Sequence, residues 1–261
     1  AWGLGYFGMP HILLRFMAIE KKENVKISRR IASVWVVIAM GVAVFIGIIG
    51  NCLTSDGTLK ALTTNSDAER IVLEMANYMA DHGVFMALIA GLIFAGILAC
   101  TMSTADSQLL AASSSMSENL IKGVFGIKIS QKTSLIIARA VLLVIAVLGI
   151  IIAWDQNSSV FGVVSFAWAG FGAAFGPIML ISLFWKRANK YGAIAGMAVG
   201  GIMIFVWKFG ISTLGGAFAI YELLPAFICS FVTIIVVSLL TGKPEQEITD
   251  EFDRVNEAMK A

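Results

Sequence analysis

The sequence predicts an all-α integral membrane protein. Of its 261 residues, 58% are hydrophobic and only 14% are charged, and the mean hydropathy is +0.86. Soluble domains are roughly 45–50% apolar and about 25% charged, so the composition excludes an ordinary soluble protein. Six stretches that carry almost no charge each approach the roughly 20 residues that a helix needs to cross a bilayer.

The predicted membrane domain covers residues 1–241, and a tail over 242–261 follows it. The predicted spans are 31–50, 84–117, 133–154, 156–185, 191–207 and 221–241. The second span is interrupted only by Asp106, and as one helix it would be roughly 50 Å long. It must therefore tilt or protrude. Residues 1–14 are predicted to belong to a broken membrane helix.

Charge predicts the orientation of the spans. Lys and Arg concentrate in three segments, 15–30, 122–139 and 186–190. The loop 51–83 carries mostly acidic residues, and basic residues favour cytoplasmic loops. Alternation over six helices therefore places the tail 242–261 in the cytoplasm. Within the loop, Ser66 and Glu69 have the spacing of a helix capping box and precede an apolar helical pattern, which predicts a surface helix.

Several function classes find no support in the sequence. The net charge is only +2, and no basic stripe is interleaved with aromatic residues, so a nucleic-acid partner is not predicted. Cys52, Cys100 and Cys229 are odd in number and lack CxxC spacing, which does not indicate a zinc site or a disulfide framework. No GxSxG, HExxH or Walker-type motif indicates soluble-enzyme chemistry.

Segment 2–11 is unusual for a membrane helix. Three glycines followed by Pro10 loosen the backbone and remove a donor, and unwound backbone at membrane depth is buried in protein or lines a wet cavity. Trp2 and Tyr6 are four residues apart, so a helical turn places both rings on one face, which suits a small zwitterion with an apolar body. Alternatively, the glycines are close-packing sites and the rings an interfacial belt. The residues alone leave both interpretations open.

The longest span contains a polar face. Cys100, Ser103, Thr104 and Ser107 share one side of a helix by their spacing. Hydroxyls and a freed carbonyl are hard neutral oxygen ligands of the kind that an alkali cation binds. The alternative is that these hydroxyls form hydrogen bonds between helices. Asp106 is an intramembrane carboxylate and hence a functional candidate, unless the helix nears the interface there.

Two further patterns predict close helix packing. Residues 165–177 alternate large rings with very small residues, and Pro177 predicts a kink. Gly192, Gly196 and Gly200 recur at four-residue spacing, which is typical of a small-xxx-small helix contact.

Six segments together carry a resemblance to a known family: 1–8 (AWGLGYFG), 10–12 (PHI), 15–17 (RFM), 102–104 (MST), 167–177 (AWAGFGAAFGP) and 192–197 (GAIAGM). In this order they resemble the sodium/solute symporter family, and the first and fifth are specific to its proline branch. The resemblance extends over essentially the whole chain up to the tail.

The resemblance implies a leucine-transporter-type inverted-repeat fold, of which this sequence would hold the second repeat and the C-terminal helices, with the first repeat absent. It implies that Trp2, Tyr6 and Pro10 bind substrate. It further implies that Ser103 and Thr104 supply hydroxyls to sodium and that Cys100 supplies its carbonyl. Three charged residues are secondary candidates: Arg15, Glu69 and Asp106.

The function implied is secondary active transport rather than enzyme catalysis, with sodium entry coupled to uptake of L-proline at the bacterial inner membrane. The implied partners are proline, Na⁺, the lipid bilayer and the missing N-terminal half of the transporter. Alternatives are a symporter for another small solute such as pantothenate, a symporter-like membrane sensor, and a helical scaffold that does not transport.

Overall fold

A computed structural model gives the structure of residues 2–21, 23–127, 129–154 and 159–260, and every regular element in those residues is helical. In chain order the helices α1 to α11 are Trp2–Gly5, Pro10–Met17, Asn24–Ser55, Asn65–Ala68, Ile71–Ala80, Val84–Ser114, Gln131–Ala153, Val160–Phe184, Lys190–Val206, Leu223–Leu240 and Gln246–Lys260. The tighter 3-10 turns are Tyr6–Gly8, Ser212–Leu214 and Gly216–Phe218, and the wider π-helical segments are Ser115–Val124 and Trp207–Ile211.

Among the described residues, six helices are long and apolar enough to cross a membrane: α3, α6 with its π-helical continuation, α7, α8, α9 with the turns that follow it, and α10. Helix α3 begins at Asn24 rather than at 31, and the helix from Val84 continues to Val124 rather than to 117. A helix needs only its backbone hydrogen bonds, so it extends through charged residues at which an apolar stretch stops.

Parts of the predicted segments lie outside the described residues. These parts are the predicted start of the fourth span at 156, residues 1 and 261 of the terminal segments, and Lys22 and Lys128 of the basic segments. Helix α8 is described from Val160 onward.

The chain divides into two compact units. One unit contains the residues up to Met17 together with those from Phe161 onward, and the other contains Ala18–Val160. The predicted substrate residues therefore belong to the first unit and the predicted sodium ligands to the second.

Helices α8, α9 and α10 form the core of the first unit. Its buried cluster consists of small and aliphatic residues with one ring: Ala169, Ala173, Ile204, Leu223, Ala226 and Phe227. The glycine stripe of α9 is in close contact with its neighbours, because an added Cβ would overlap Ser238 at Gly192, Ile234 at Gly196 and the Ala173 carbonyl at Gly200. The predicted small-xxx-small contact is confirmed.

Asn189 connects the start of α9 to the end of α10. Its Oδ1 accepts a hydrogen bond from the Gly192 backbone N–H at 2.8 Å, which caps the helix. Its Nδ2 donates to Thr241 Oγ1 at 2.8 Å and to the Gly242 carbonyl at 2.7 Å. One buried side chain therefore satisfies groups at two helix ends.

The second unit contains the predicted surface helix in the loop 51–83, but the predicted capping box is wrong by two residues. Thr64, in an extended conformation, caps α4, and Asp67 completes the box by accepting a hydrogen bond from the Thr64 N–H. Ser66 already lies within the first helical turn, so its spacing to Glu69 coincides with the motif without forming it. These hydrogen bonds, chiefly from Thr64, lower the pKa of Asp67 below its usual value.

Candidate functional site

Residues 2–17 of the first unit form a broken helix. Helix α1 gives way to a 3-10 turn at Tyr6, Met9 is extended with φ −84° and ψ 113°, and α2 begins at Pro10. Proline suits the first position of a helix, because its φ is already helical and it lacks an N–H that would have no partner there. Met9, at the break, is buried.

The glycines of this segment allow it to lie directly on α8. A Cβ at Gly8 would overlap the Phe171 carbonyl oxygen and would lie 2.9 Å from both Gly172 Cα and Gly176 N. A Cβ at Gly172 would in turn lie 2.7 Å from Gly5 Cα. The close-packing interpretation is therefore confirmed for two of the three glycines in this segment. A Cβ added at Gly3 would meet no atom within 4 Å.

Aromatic rings surround the beginning of the broken segment. The Trp2 ring is stacked with Phe161 at 5.4 Å between centroids, with Trp168 at 5.3 Å and with Tyr221 at 6.2 Å. Tyr6 meets Trp168 edge to face at 4.8 Å. Trp2 and Tyr6, which the sequence places on one face, therefore both contact the ring of Trp168. Pairs of this kind contribute about 0.5–1.5 kcal/mol each beyond their burial.

Two hydrogen bonds hold this cluster to the backbone. Trp168 Nε1 donates to the Trp2 carbonyl at 3.0 Å, and the Tyr221 hydroxyl donates to the Ser165 carbonyl at 2.7 Å. Beside Tyr221, the Glu222 carboxylate is buried, and the Lys208 ammonium lies 3.4 Å from it. A buried carboxylate needs a partner of this kind, because removing the charged group from water costs on the order of several kcal/mol.

Pro10 and Arg15 lie farther along the broken segment. Pro10 is exposed at the first position of α2, and Arg15 is exposed in its last turn. Tyr6 is 49% exposed, so one part of its ring remains available to a ligand while the other part contacts Trp168.

The candidate sodium ligands lie on α6 in the second unit. Cys100, Ser103, Thr104 and Asp106 are all exposed within this unit. The Ser107 hydroxyl donates to the Ser103 carbonyl at 3.0 Å, so it is engaged with its own helix. Within the part of the chain that the structure describes, the hydroxyls of Ser103 and Thr104 have no hydrogen-bond partner.

The chemistry of this set suits a monovalent hard cation. Its donors are neutral hydroxyl and carbonyl oxygens, whereas divalent ions and zinc are bound chiefly by carboxylate, imidazole or thiolate groups. No group of three or more His, Cys, Asp or Glu side chains that could hold a metal ion occurs among residues 2–21, 23–127, 129–154 and 159–260.

The Glu69 carboxylate is hydrogen-bonded within its own unit, Ala18–Val160. It accepts hydrogen bonds from the Ser159 hydroxyl at 2.6 Å and from the Val160 backbone N–H at 2.9 Å. Val160 is the first residue of α8, so this carboxylate caps a helix N-terminus from a distant part of the sequence. The geometry gives Glu69 a capping contact.

Sequence reasoning missed Trp168 and Tyr221 as members of the aromatic cluster. Trp168 lies in the segment 165–177, for which the sequence predicted packing alone. Tyr221 lies in no motif. An indole among small residues is the one local signal that could have indicated a directional contact, since a buried indole N–H needs an acceptor.

The sequence of this chain is similar to those of one protein family. The family model "Sodium:solute symporter family" matches residues 1–200. A sodium/proline symporter of Haemophilus influenzae is 44% identical over 260 residues, which cover 100% of this chain and 51% of the relative. The high-affinity proline transporter PutP of Bacillus subtilis is 39% identical over 259 residues, covering 99% and 52%. A sodium/proline symporter of Escherichia coli is 39% identical over 251 residues, covering 96% and 48%.

The chain spans about half the length of the curated relatives that it matches. No solved structure matches it significantly.

Proposed function

This chain belongs to the sodium:solute symporter family, and we propose that it forms the C-terminal part of a secondary active transporter. This transporter couples sodium entry to uptake of L-proline across the bacterial inner membrane. The similarity to sodium/proline symporters supports the substrate.

The broken helix beside the aromatic cluster is the observation that carries the proposal. Proline is a small zwitterion with an apolar ring, and it needs polar groups for its charges and an apolar surface for its body. The half-exposed Tyr6 ring supplies the apolar surface, and the interrupted backbone between Gly5 and Pro10 would supply the polar groups. At the break itself, the Met9 N–H donates to the Tyr6 carbonyl and the Met9 carbonyl accepts from Ile12 and Leu13. Broken helices in transporters bind substrate in this manner. Trp2, Tyr6 and Pro10 are the proposed substrate residues.

The hydroxyls of Ser103 and Thr104, with the Cys100 carbonyl, are the proposed sodium ligands. Their lack of other hydrogen-bond partners among the described residues supports this assignment. Sodium bound there would favour the substrate-ready state and raise the affinity for proline. Coupling of about 1–3 kcal/mol, or roughly 5–150-fold in affinity, is typical of linked sites.

A chimera tests the proposal. In it, this chain replaces the aligned segment of the Haemophilus influenzae relative, and proline uptake is measured in cells that lack their own proline transporters. We expect uptake that requires sodium. The double change of Ser103 and Thr104 to alanine should raise the sodium concentration for half-maximal uptake about tenfold or more, within the range of site coupling.

Thr101→Ala is the matched control, because Thr101 lies on the same helix and its hydroxyl donates to the Ile97 carbonyl. It should change the sodium requirement less than about twofold, because its side chain lies off the helix face that Cys100, Ser103 and Thr104 share. Equal loss of uptake at every sodium concentration in the double variant would contradict the sodium assignment. Uptake competed by pantothenate and not by proline would contradict the substrate.

The cytoplasmic location of the tail is a further part of the proposal. Lys186 pairs with Asp253, and Lys190 pairs with Glu245 at 3.1 Å, so the tail and the basic loop 186–190 lie on one side of the bilayer. Basic loops are cytoplasmic in most membrane proteins. A reporter that fluoresces only in the cytoplasm, fused after Ala261, should be fluorescent, and a dark fusion protein present at normal levels would contradict the orientation.

A further inference from the structure

We infer that Trp168 is a positioning residue that holds the broken segment in its substrate-binding conformation and thereby sets the affinity for proline. The inference rests on the proposed function, and it assigns to this side chain a role that the sequence motifs did not indicate. Trp168 acts through the segment 2–9 that it contacts.

Trp168 contacts the broken segment at four places. Its Nε1–H donates to the Trp2 carbonyl, its face is stacked on the Trp2 ring, and its ring meets Tyr6 edge to face. It also covers Gly5 so closely that an added Cβ there would overlap the indole. A single rigid side chain therefore fixes a carbonyl, two aromatic rings and the glycine between them.

The hydrogen bond is directional where the ring contacts are not. Stacked and edge-to-face rings can slide by a fraction of an ångström at little cost, whereas an N–H donor constrains both the distance and the angle of its acceptor. The Trp2 carbonyl lies in the short turn just before the break. Its position therefore determines where the two candidate substrate rings lie.

The other side of Trp168 is anchored in the core of the first unit. The residue that follows it, Ala169, is fully buried in the core cluster. One turn earlier, the Ser165 carbonyl accepts the hydrogen bond from the Tyr221 hydroxyl of the segment preceding α10. The indole thus extends from a well-packed part of α8, which is a suitable base for positioning a weakly structured segment.

Two substitutions at position 168 distinguish the effect of the N–H donor from the effect of the ring. Trp168→Phe removes the N–H and part of the ring. Replacement of Trp168 by 3-benzothienylalanine through amber suppression keeps the size of the ring and puts sulfur in place of the N–H. Trp35→Phe is the matched control, because Trp35 is exposed on α3.

In the chimera described above, both changes at Trp168 should raise the proline concentration for half-maximal uptake roughly three- to tenfold, the effect of one lost hydrogen bond. The maximal rate should stay within about twofold, and Trp35→Phe should change neither quantity beyond that. A lower maximal rate with unchanged half-maximal concentration would show a purely structural role and overturn the inference. Unchanged behaviour of the benzothienyl variant would also overturn it.

A second measurement does not depend on transport. Met9 is buried at the break, so the thiol of a Met9→Cys variant, in a chain whose three native cysteines are replaced by alanine, should react slowly with a small methanethiosulfonate. Trp168→Phe should accelerate that reaction about three- to tenfold and Trp35→Phe should not. Equal rates would overturn the inference. Failure of the unsubstituted chimera to take up proline would contradict the proposed function alone, and the thiol rates would still decide the role of Trp168.

Discussion

Gly8→Ala should detach the broken segment from α8. The added methyl group would overlap the Phe171 carbonyl oxygen and would lie 2.9 Å from Gly172 Cα and from Gly176 N. Ordinary contacts between such atoms are about 3.5–4.0 Å. All three obstructing atoms belong to the backbone of one helix, so no side chain can rotate away, and the segment itself must move by roughly an ångström, as for an overpacked site.

The expected cost follows from a comparison of two glycines. Overpacking of a well-filled site costs about 1–3 kcal/mol, and an obstruction formed by backbone belongs at the upper end of that range. Alanine is favoured over glycine in a helix by up to about 1 kcal/mol, which offsets part of this cost. Gly3→Ala should gain a similar stabilisation from the helix preference of alanine, and its methyl group would have no atom within 4 Å. The difference between the two variants should therefore be about 3 kcal/mol.

Hydrogen exchange of the amides in residues 2–17 measures this difference, because local opening determines their exchange rates. With the purified chain in detergent, we expect exchange in Gly8→Ala to be about 100-fold faster than in Gly3→Ala, since about 1.4 kcal/mol corresponds to a factor of ten. Similar exchange rates in the two variants would refute the reasoning that backbone contact at Gly8 holds the segment on α8.

Three further predictions concern the helix caps. Asn189→Ala should lower the free energy of unfolding in detergent by about 2 kcal/mol, because a cap and two hydrogen bonds are lost together, and Asn189→Ser, which keeps a capping hydroxyl, should lose about half as much. The lowered pKa of Asp67 means that its stabilisation of α4 is complete above the usual value of 3.8 and disappears as the pH falls below it; exchange protection of α4 should follow this pH dependence, and Asp67→Asn, which does not titrate, should abolish it. Glu69→Ala should accelerate exchange of the Val160 amide whereas Glu74→Ala should not, and equal acceleration would exclude the capping role.

Much of the backbone of the candidate site could be predicted from local sequence. Glycines followed by Pro10 predict a break near the start of the chain, and the structure places it at Met9. The recurrence of Gly192, Gly196 and Gly200 predicts a close helix contact, and α10 and α8 supply it. These predictions succeed because backbone conformation and the space around a glycine depend mainly on the residue itself.

Predictions that required a choice between similar residues were less accurate. Thr64 rather than Ser66 caps α4. Both residues have the spacing of the motif, but only Thr64 has the extended backbone conformation that a helix cap requires, and the path of the incoming chain determines that conformation. Glu69, the last residue of the predicted capping box, instead accepts hydrogen bonds from Ser159 and Val160. Local pattern alone does not distinguish two nearly equivalent caps.

The amino-acid sequence by itself determined that this chain lies in a membrane, that it crosses as a series of helices, and that its first helix is interrupted. Each of these properties depends on free energies summed over neighbouring residues, such as apolar transfer and backbone preference. Only the tertiary structure decided that the Trp168 indole meets the Trp2 carbonyl, that Tyr221 joins the same cluster and that Gly5 and Gly8 lie against α8. These contacts join residues far apart in the chain, and their energies depend on distances and angles that exist only once the helices have packed together.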